Sequence, residues 1–329
     1  MGCFNFDQNN KVKMDKKIYK RISFLFPGQG AQYPGMAKDF VNQFSLAQLT
    51  FEEADDILKR SLSNIVFNGS EEELTLTKNS QLGIYVSSIA ILRVVSELYN
   101  LKPFVCSGLS LGEYTALTAS EMLPYQETLP LVRYRSEYMH EACEETKGSM
   151  IVVIGLENSV VEEMVNKLNL TNDLWIANFN CPGQVVLSGT SLGIEAGVAA
   201  AKEHGAKRVL PLRVAGAFHS GLMQVAENRL NPFISSTPFQ KGSSQLVMNV
   251  SGDFVDDLEL VRTHLSKQIT HSVRWEQGIR AIESHDVDLF IEFGPGKTLN
   301  GLNKRIGVKA PTLSIEKVED LALLDHIIQ

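Results

Sequence analysis

Phe104-Val105-Cys106-Ser107-Gly108-Leu109-Ser110-Leu111-Gly112-Glu113-Tyr114-Thr115-Ala116-Leu117 is the stretch whose reading decides the fold. A short apolar run, Phe104 to Cys106, leads into Gly108-Leu109-Ser110-Leu111-Gly112, and a helix-forming segment follows. That order reads as a nucleophile elbow, Gly-x-Ser-x-Gly on a sharp strand-to-helix turn that leaves the serine hydroxyl exposed. Glycines two residues to either side fit, because a strained turn has no room for side chains beside the serine. The backbone N–H groups that follow Ser110 then point where an oxyanion would need them. The pentapeptide also arises by chance; its place between a strand-like and a helix-like segment makes Ser110 a candidate nucleophile. The remaining chain must then supply a base, a further oxyanion donor and a reason for substrate choice.

Working outward, residues 23–26 read as a buried strand stopped by Pro27-Gly28-Gln29-Gly30. This turn lacks the Gly-Lys-Ser/Thr ending of a phosphate loop and the three-glycine spacing of a dinucleotide fold. It reads instead as a turn whose backbone faces a site. Residues 35–54 have a helical pattern, 71–78 a polar linking pattern, and 81–99 apolar residues at helical spacing that would pack on a sheet. Helices are expected over 114–120 and 124–144. From Gly148 the order is strand 150–154, helix 159–168, strands 174–178 and 184–188, helix 192–204 and strand 208–212. That βαββαβ order fits a ferredoxin-like unit over 147–213, inserted in a larger domain made of 21–146 and 214–329. Beyond it come Ala217-Phe218-His219-Ser220, a helix to about 235, an apolar run 246–250, helices over 261–270 and 275–284, a strand 288–293 ended by Gly294-Pro295-Gly296, and a helix 299–305. Strands alternating with helices imply an α/β fold with a largely parallel sheet covered on both faces.

The 329 residues suffice for a large core, with 44% hydrophobic and 21% charged residues. A net charge of -7 argues against a general nucleic-acid binder, which needs basic excess to neutralise phosphates. Cys3, Cys106, Cys143 and Cys181 are scattered in no metal-like spacing, which fits reduced thiols in the cytoplasm. Residues 1–20 are polar and contain no secretory core, and no stretch is read as a membrane span. Met1-Gly2-Cys3 invites a lipidation reading, but Phe6 stands where the myristoylation pattern wants Ser or Thr. A disordered tail and a start at Met14 are both compatible with this segment.

Five motifs occur in order: Phe26-Pro27-Gly28-Gln29-Gly30-Ala31-Gln32, Gly108-Leu109-Ser110-Leu111-Gly112-Glu113, Asn178-Phe179-Asn180-Cys181-Pro182-Gly183-Gln184, Phe218-His219-Ser220 and Glu292-Phe293-Gly294-Pro295-Gly296. Together they closely resemble the malonyl-CoA:acyl-carrier-protein transacylases, over residues 22–306. The resemblance implies an α/β-hydrolase-like large domain, a small ferredoxin-like domain and a site in the cleft between them. It implies Ser110 as the nucleophile and His219 as the base, oriented by the backbone carbonyl of Gln268 in a Ser-His dyad. It implies an oxyanion hole from the N–H groups of Gln29 and Leu111. Arg135, in Arg133-Tyr134-Arg135-Ser136-Glu137-Tyr138-Met139, would clamp the malonyl carboxylate through two parallel hydrogen bonds. Without that context, His219 is an ordinary polar residue at a helix start and Arg135 a surface ion pair.

Two residues depart from the family pattern. Leu109 replaces the usual His before the nucleophile, and Ser136 the usual Gly after the arginine. The expected substrates are malonyl-CoA and an acidic acyl carrier protein bearing a phosphopantetheine thiol. Lys207, Arg208, Lys297, Lys304 and Arg305 are candidates for docking the carrier. Asn180 is a candidate contact for the acyl or pantetheine portion, or a turn residue. No metal or resident cofactor, no nucleic acid and no membrane is implied, and the chain is expected to act as a monomer. Fatty acid synthesis is the expected setting. A polyketide trans-acyltransferase and an acyl-thioester hydrolase with the same dyad remain alternatives.

Overall fold

A computed structural model describes residues 19–325, and two sheets organise them. In chain order the strands are β1 (Ile22–Phe26), β2 (Val105–Gly108), β3 (Ser149–Ile154), β4 (Leu174–Cys181), β5 (Gln184–Gly189), β6 (Arg208–Pro211), β7 (Gln245–Met248), β8 (Asp253–Phe254), β9 (Leu289–Phe293) and β10 (Thr312–Ile315). The larger sheet has the order β10-β9-β1-β2-β7-β8. Its pairings are parallel except β7 with β8. Every residue of β1 and β9 is buried. Helices cover both faces of such a strand, so its sequence is a near-continuous apolar run without alternation. Phe24 and Phe293 meet edge to face across this core, ring centroids 4.7 Å apart.

The second sheet, β4-β5-β3-β6, is antiparallel throughout. Helices Asn158–Leu168 and Ser191–Glu203 complete the expected βαββαβ unit. Along β3 the burial alternates between two cores. Ile151 and Val153 pack with this sheet's own helices, while Met150 and Val152 face the main core. A period of two is what a strand between two apolar layers requires.

Several local expectations are corrected. Residues 71–78 are not a link: a helix Glu71–Thr75 is capped by Ser70, whose Oγ accepts from the Glu73 N–H, and a second helix starts at Thr77. Three glutamates in the first turn suit the positive end of the helix dipole, so polarity here marks a helix start. The pattern over 35–54 is two helices, Lys38–Gln43 and Ser45–Leu58, broken at extended Phe44. The helix expected over 261–270 spans Leu258–Lys267 and stops before Gln268. Strand β10 has only four residues, too few for periodicity to reveal it. The helix Thr77–Tyr99 is long and apolar enough to cross a membrane, contrary to expectation, yet 72% of its apolar window is buried inside the protein. The expected tail, residues 1–20, lies outside the described residues except at its end, where the Lys20 N–H donates to Asp288 Oδ2 at 2.9 Å.

Parallel strands present their carboxyl ends on one side. The turns that follow β1, β2, β7 and β9 carry Gln29, Ser110, Asn249 and Gly294, in the position where open α/β sheets hold their sites.

Candidate active site

The turn after β2 is shaped by what cannot be there. A Cβ on Gly108 would lie 2.0 Å from the Gly112 carbonyl, and one on Gly112 would lie 2.1 Å from the Phe26 oxygen. Only glycine lets strand, turn and helix Gly112–Ala119 come this close. Ser110 at their centre has φ +54°, left-handed for a residue with a side chain. His219, in the turn after Phe218, has φ +57°. Both are held by several bonds, as strained residues at functional sites must be.

Ser110 Oγ and His219 Nε2 are 2.8 Å apart. His219 Nδ1 lies 2.8 Å from the Gln268 carbonyl oxygen. A carbonyl only accepts, so Nδ1 carries the proton and Nε2 presents its lone pair to the serine O–H. Gln268 can serve because it lies just past the end of its helix. Burial, followed by the Arg135 charge, lowers the His219 pKa to about 4. The imidazole is therefore neutral, the form a base needs.

Arg135, on the helix Tyr125–Glu145, is 1% exposed and forms no ion pair among the described residues. Its Nη2 donates to Ser110 Oγ at 3.0 Å and to Gln268 Oε1 at 2.9 Å, and its Nη1 donates to Gln81 Oε1. Burial holds its pKa below the ordinary value. A buried guanidinium resting on neutral amide oxygens is a strong latent site for a carboxylate. Its contact with Oγ puts that site directly beside the Ser110 hydroxyl.

The backbone N–H groups of Gln29 and Leu111 donate to no acceptor among the described residues. The Gln29 side chain is tied back to Thr77 and Gln81 at 3.4 and 3.5 Å. A Cβ on Gly28 would lie 2.5 Å from the Leu109 oxygen, so the two turns that carry these N–H groups are in direct contact. A cavity of about 700 Å³ opens beside Gln29, lined also by Gln32, Leu76 and Arg213. Leu109 packs on an apolar cluster that includes Trp275 and Val273.

Not all expected residues join this network. Asn180 is on β4 with its Oδ1 buried and unpartnered, and no bond links it to Ser110 among the described residues. Lys207, Arg208 and Arg305 line one cavity of about 600 Å³ with Gly183 and Gln184. Lys304 is exposed on the same helix as Arg305 but is not among the lining residues. Lys297 is taken by Asp320 at 3.3 Å.

Three participants escaped the sequence reading. Gln81 holds Arg135, and the available signal was a fully buried polar residue inside an apolar helix. Asn249 accepts the Ser110 N–H at 2.7 Å, and its place after a central strand was the only clue. Glu113 accepts the Asn249 N–H at 2.8 Å; burial raises its carboxyl to about 7.

Comparison with known proteins shows what the chain is similar to. A family model described as an acyl transferase domain matches residues 23–314. Over 304 residues the chain is 38% identical to a malonyl CoA-acyl carrier protein transacylase of Bacillus subtilis, covering 92% of this chain and 96% of that protein. A Haemophilus influenzae protein of the same name is 34% identical over 310 residues, 94% of this chain and 99% of its own. A solved acyl carrier protein S-malonyltransferase from Vibrio cholerae gives a TM-score of 0.88 at 32% identity, covering 93% of this chain and 100% of that one. A malonyl-transacylase solved in complex with a type II polyketide acyl-carrier protein gives 0.88 at 34% identity, over 92% and 98%.

Proposed function

The chain belongs to the malonyl-CoA:acyl-carrier-protein transacylase family of acyltransferases, and on that premise we propose that it moves a malonyl group from coenzyme A to a carrier thiol through an ester on Ser110. The observation that carries this reading is that one atom, Ser110 Oγ, touches both His219 Nε2 and Arg135 Nη2. A base and a carboxylate clamp on the same hydroxyl are what malonyl transfer needs and a general thioesterase does not.

In the first half-reaction His219 takes the Ser110 proton as Oγ attacks the thioester carbonyl. The oxyanion is received by the Gln29 and Leu111 N–H groups. Collapse breaks the C–S bond, the coenzyme A sulfur receives the proton from His219, and malonyl-Ser110 remains. In the second half-reaction His219 accepts the carrier thiol's proton, the thiolate attacks the ester carbonyl, the bond from that carbon to Oγ breaks, and the proton returns from His219 to Oγ. Arg135 holds the malonyl carboxylate throughout. The relative solved with its carrier supports a carrier as acceptor, in fatty acid or type II polyketide synthesis. The cavity of Lys207, Arg208 and Arg305 is where we place the acidic carrier.

The test compares malonyl appearance on a phosphopantetheinylated carrier with malonate released to water. Transfer should dominate when carrier is present; release that carrier does not suppress would favour the hydrolase reading. The pH profile provides a second check. With its pKa at about 4, His219 stays neutral from alkaline pH down to about 5 and is lost as a base as pH falls through about 4. The acid limb of kcat/KM, which reports the free enzyme, should therefore lie near 4. A limb near the usual histidine value, roughly 6.5, would contradict the buried, Arg135-facing imidazole.

A further inference from the structure

We propose that Asn249, braced by Glu113, is the positioning residue of the elbow, locking Ser110 in the left-handed conformation that aims its hydroxyl at His219. The inference rests on Ser110 being the nucleophile and not on which acyl group it carries.

Strands β2 and β7 pair in parallel with Ser107 opposite Val247. Extending that register by two residues sets Asn249 opposite Leu109, between Gly108 and Ser110. Its amide bonds both neighbours: Oδ1 accepts the Ser110 N–H at 2.7 Å and Nδ2 donates to the Gly108 oxygen at 2.7 Å. A primary amide offers an acceptor and a donor side by side at this reach, whereas an ionised carboxylate offers acceptors only. Asn249 is in turn fixed through its own N–H, which donates to Glu113 Oε2 at 2.8 Å. Glu113 belongs to the first turn of the helix that leaves the elbow, and both residues are buried. The bonds thus close a ring from strand to turn to helix and back to the neighbouring strand.

This ring allots the donors of the site. The Ser110 N–H is spent on Asn249, which leaves the next one, on Leu111, for the oxyanion. The peptide bearing that N–H is held by its other end, since Gln268 Nε2 donates to the Ser110 oxygen at 2.8 Å. Without Asn249 the strained φ of Ser110 has one fewer constraint, and both Oγ and the Leu111 N–H lose their aim.

The test uses the full chain as Asn249→Ala, Asn249→Asp, Glu113→Gln, Glu113→Leu and the double variant N249A/E113L. Three quantities are read: the rate of Ser110 labelling by a fluorophosphonate, kcat and KM for malonyl loading, and the thermal midpoint. Asn249→Ala and the near-isosteric Asn249→Asp should slow labelling and kcat on the order of 10²-fold, with KM within about threefold. Glu113→Gln, which keeps an acceptor for the Asn249 N–H, should restore most of what Glu113→Leu loses. The double variant should be no slower than its slower parent, as expected for one coupled unit. A folded Asn249→Asp that labels at the wild-type rate overturns the proposal. So does a rate loss that merely follows the thermal midpoint across the set, or that appears in KM alone. If wild-type protein labels but takes no malonyl, the malonyl reading fails while the labelling ratios still decide the role of Asn249.

Discussion

Ser110→Ala should leave a folded protein that takes up no malonyl group, with loading reduced at least ~10⁴-fold. The size of the effect follows from the geometry. Among the described residues the only oxygen bonded to His219 Nε2 is Oγ, so removing it leaves the base nothing to activate. The glycines at 108 and 112 and the bonds to Asn249 and Gln268 act on the backbone, which alanine retains, so the elbow should persist. Intact-mass measurement after mixing with malonyl-CoA checks this directly. Wild-type protein should gain one malonyl group and the variant none. A malonyl adduct that persists in Ser110→Ala would move the acyl group to another residue and end the elbow reading.

Arg135→Ala should separate two substrates that differ by one carboxylate. Truncating one side of a buried charged pair costs on the order of 2–5 kcal/mol, so malonyl loading should fall roughly 30-fold or more. Acetyl loading should hold or rise, because the variant no longer buries a guanidinium without an anion. Arg135→Lys retains the charge but not the fork that Gln81 and Gln268 hold in place, and should recover little malonyl loading. Competition between malonyl-, methylmalonyl- and acetyl-CoA reads the wild type and both variants at once. Equal loss of malonyl and acetyl would make Arg135 a structural residue, its bonds to two glutamines being the reason.

The alternation of strand and helix, the apolar runs of β1 and β9, and the Gly-x-Ser-x-Gly turn were legible because each is local. A buried parallel strand must be apolar at successive positions, and a turn with no room for Cβ must be glycine. The βαββαβ order was legible for the same reason. Ser110 could be numbered from the turn chemistry of its own segment, whereas the roles expected of Gln29, His219 and Gln268 come from the family resemblance.

What joins those segments was not local. Gln81 and Arg135 lie on two helices and Gln268 just past the end of a third, all far apart in the chain, and only the packed protein shows that the guanidinium leans on both amides and on Ser110 Oγ. The same holds for Asn249 and Glu113, whose bonds depend on β2 and β7 being neighbours. It also holds for the basic residues, of which Lys207, Arg208 and Arg305 share a cavity while Lys297 is bound to Asp320. The sequence by itself determined most of the elements and the glycines of the elbow, because sterics and periodicity act between near neighbours, while His219, Gln268 and Arg135 are singled out only by the family resemblance. The tertiary structure alone decided which polar atoms face one another in the absence of water, and that decision sets the low pKa of His219, the latent charge of Arg135 and the strained backbone of Ser110.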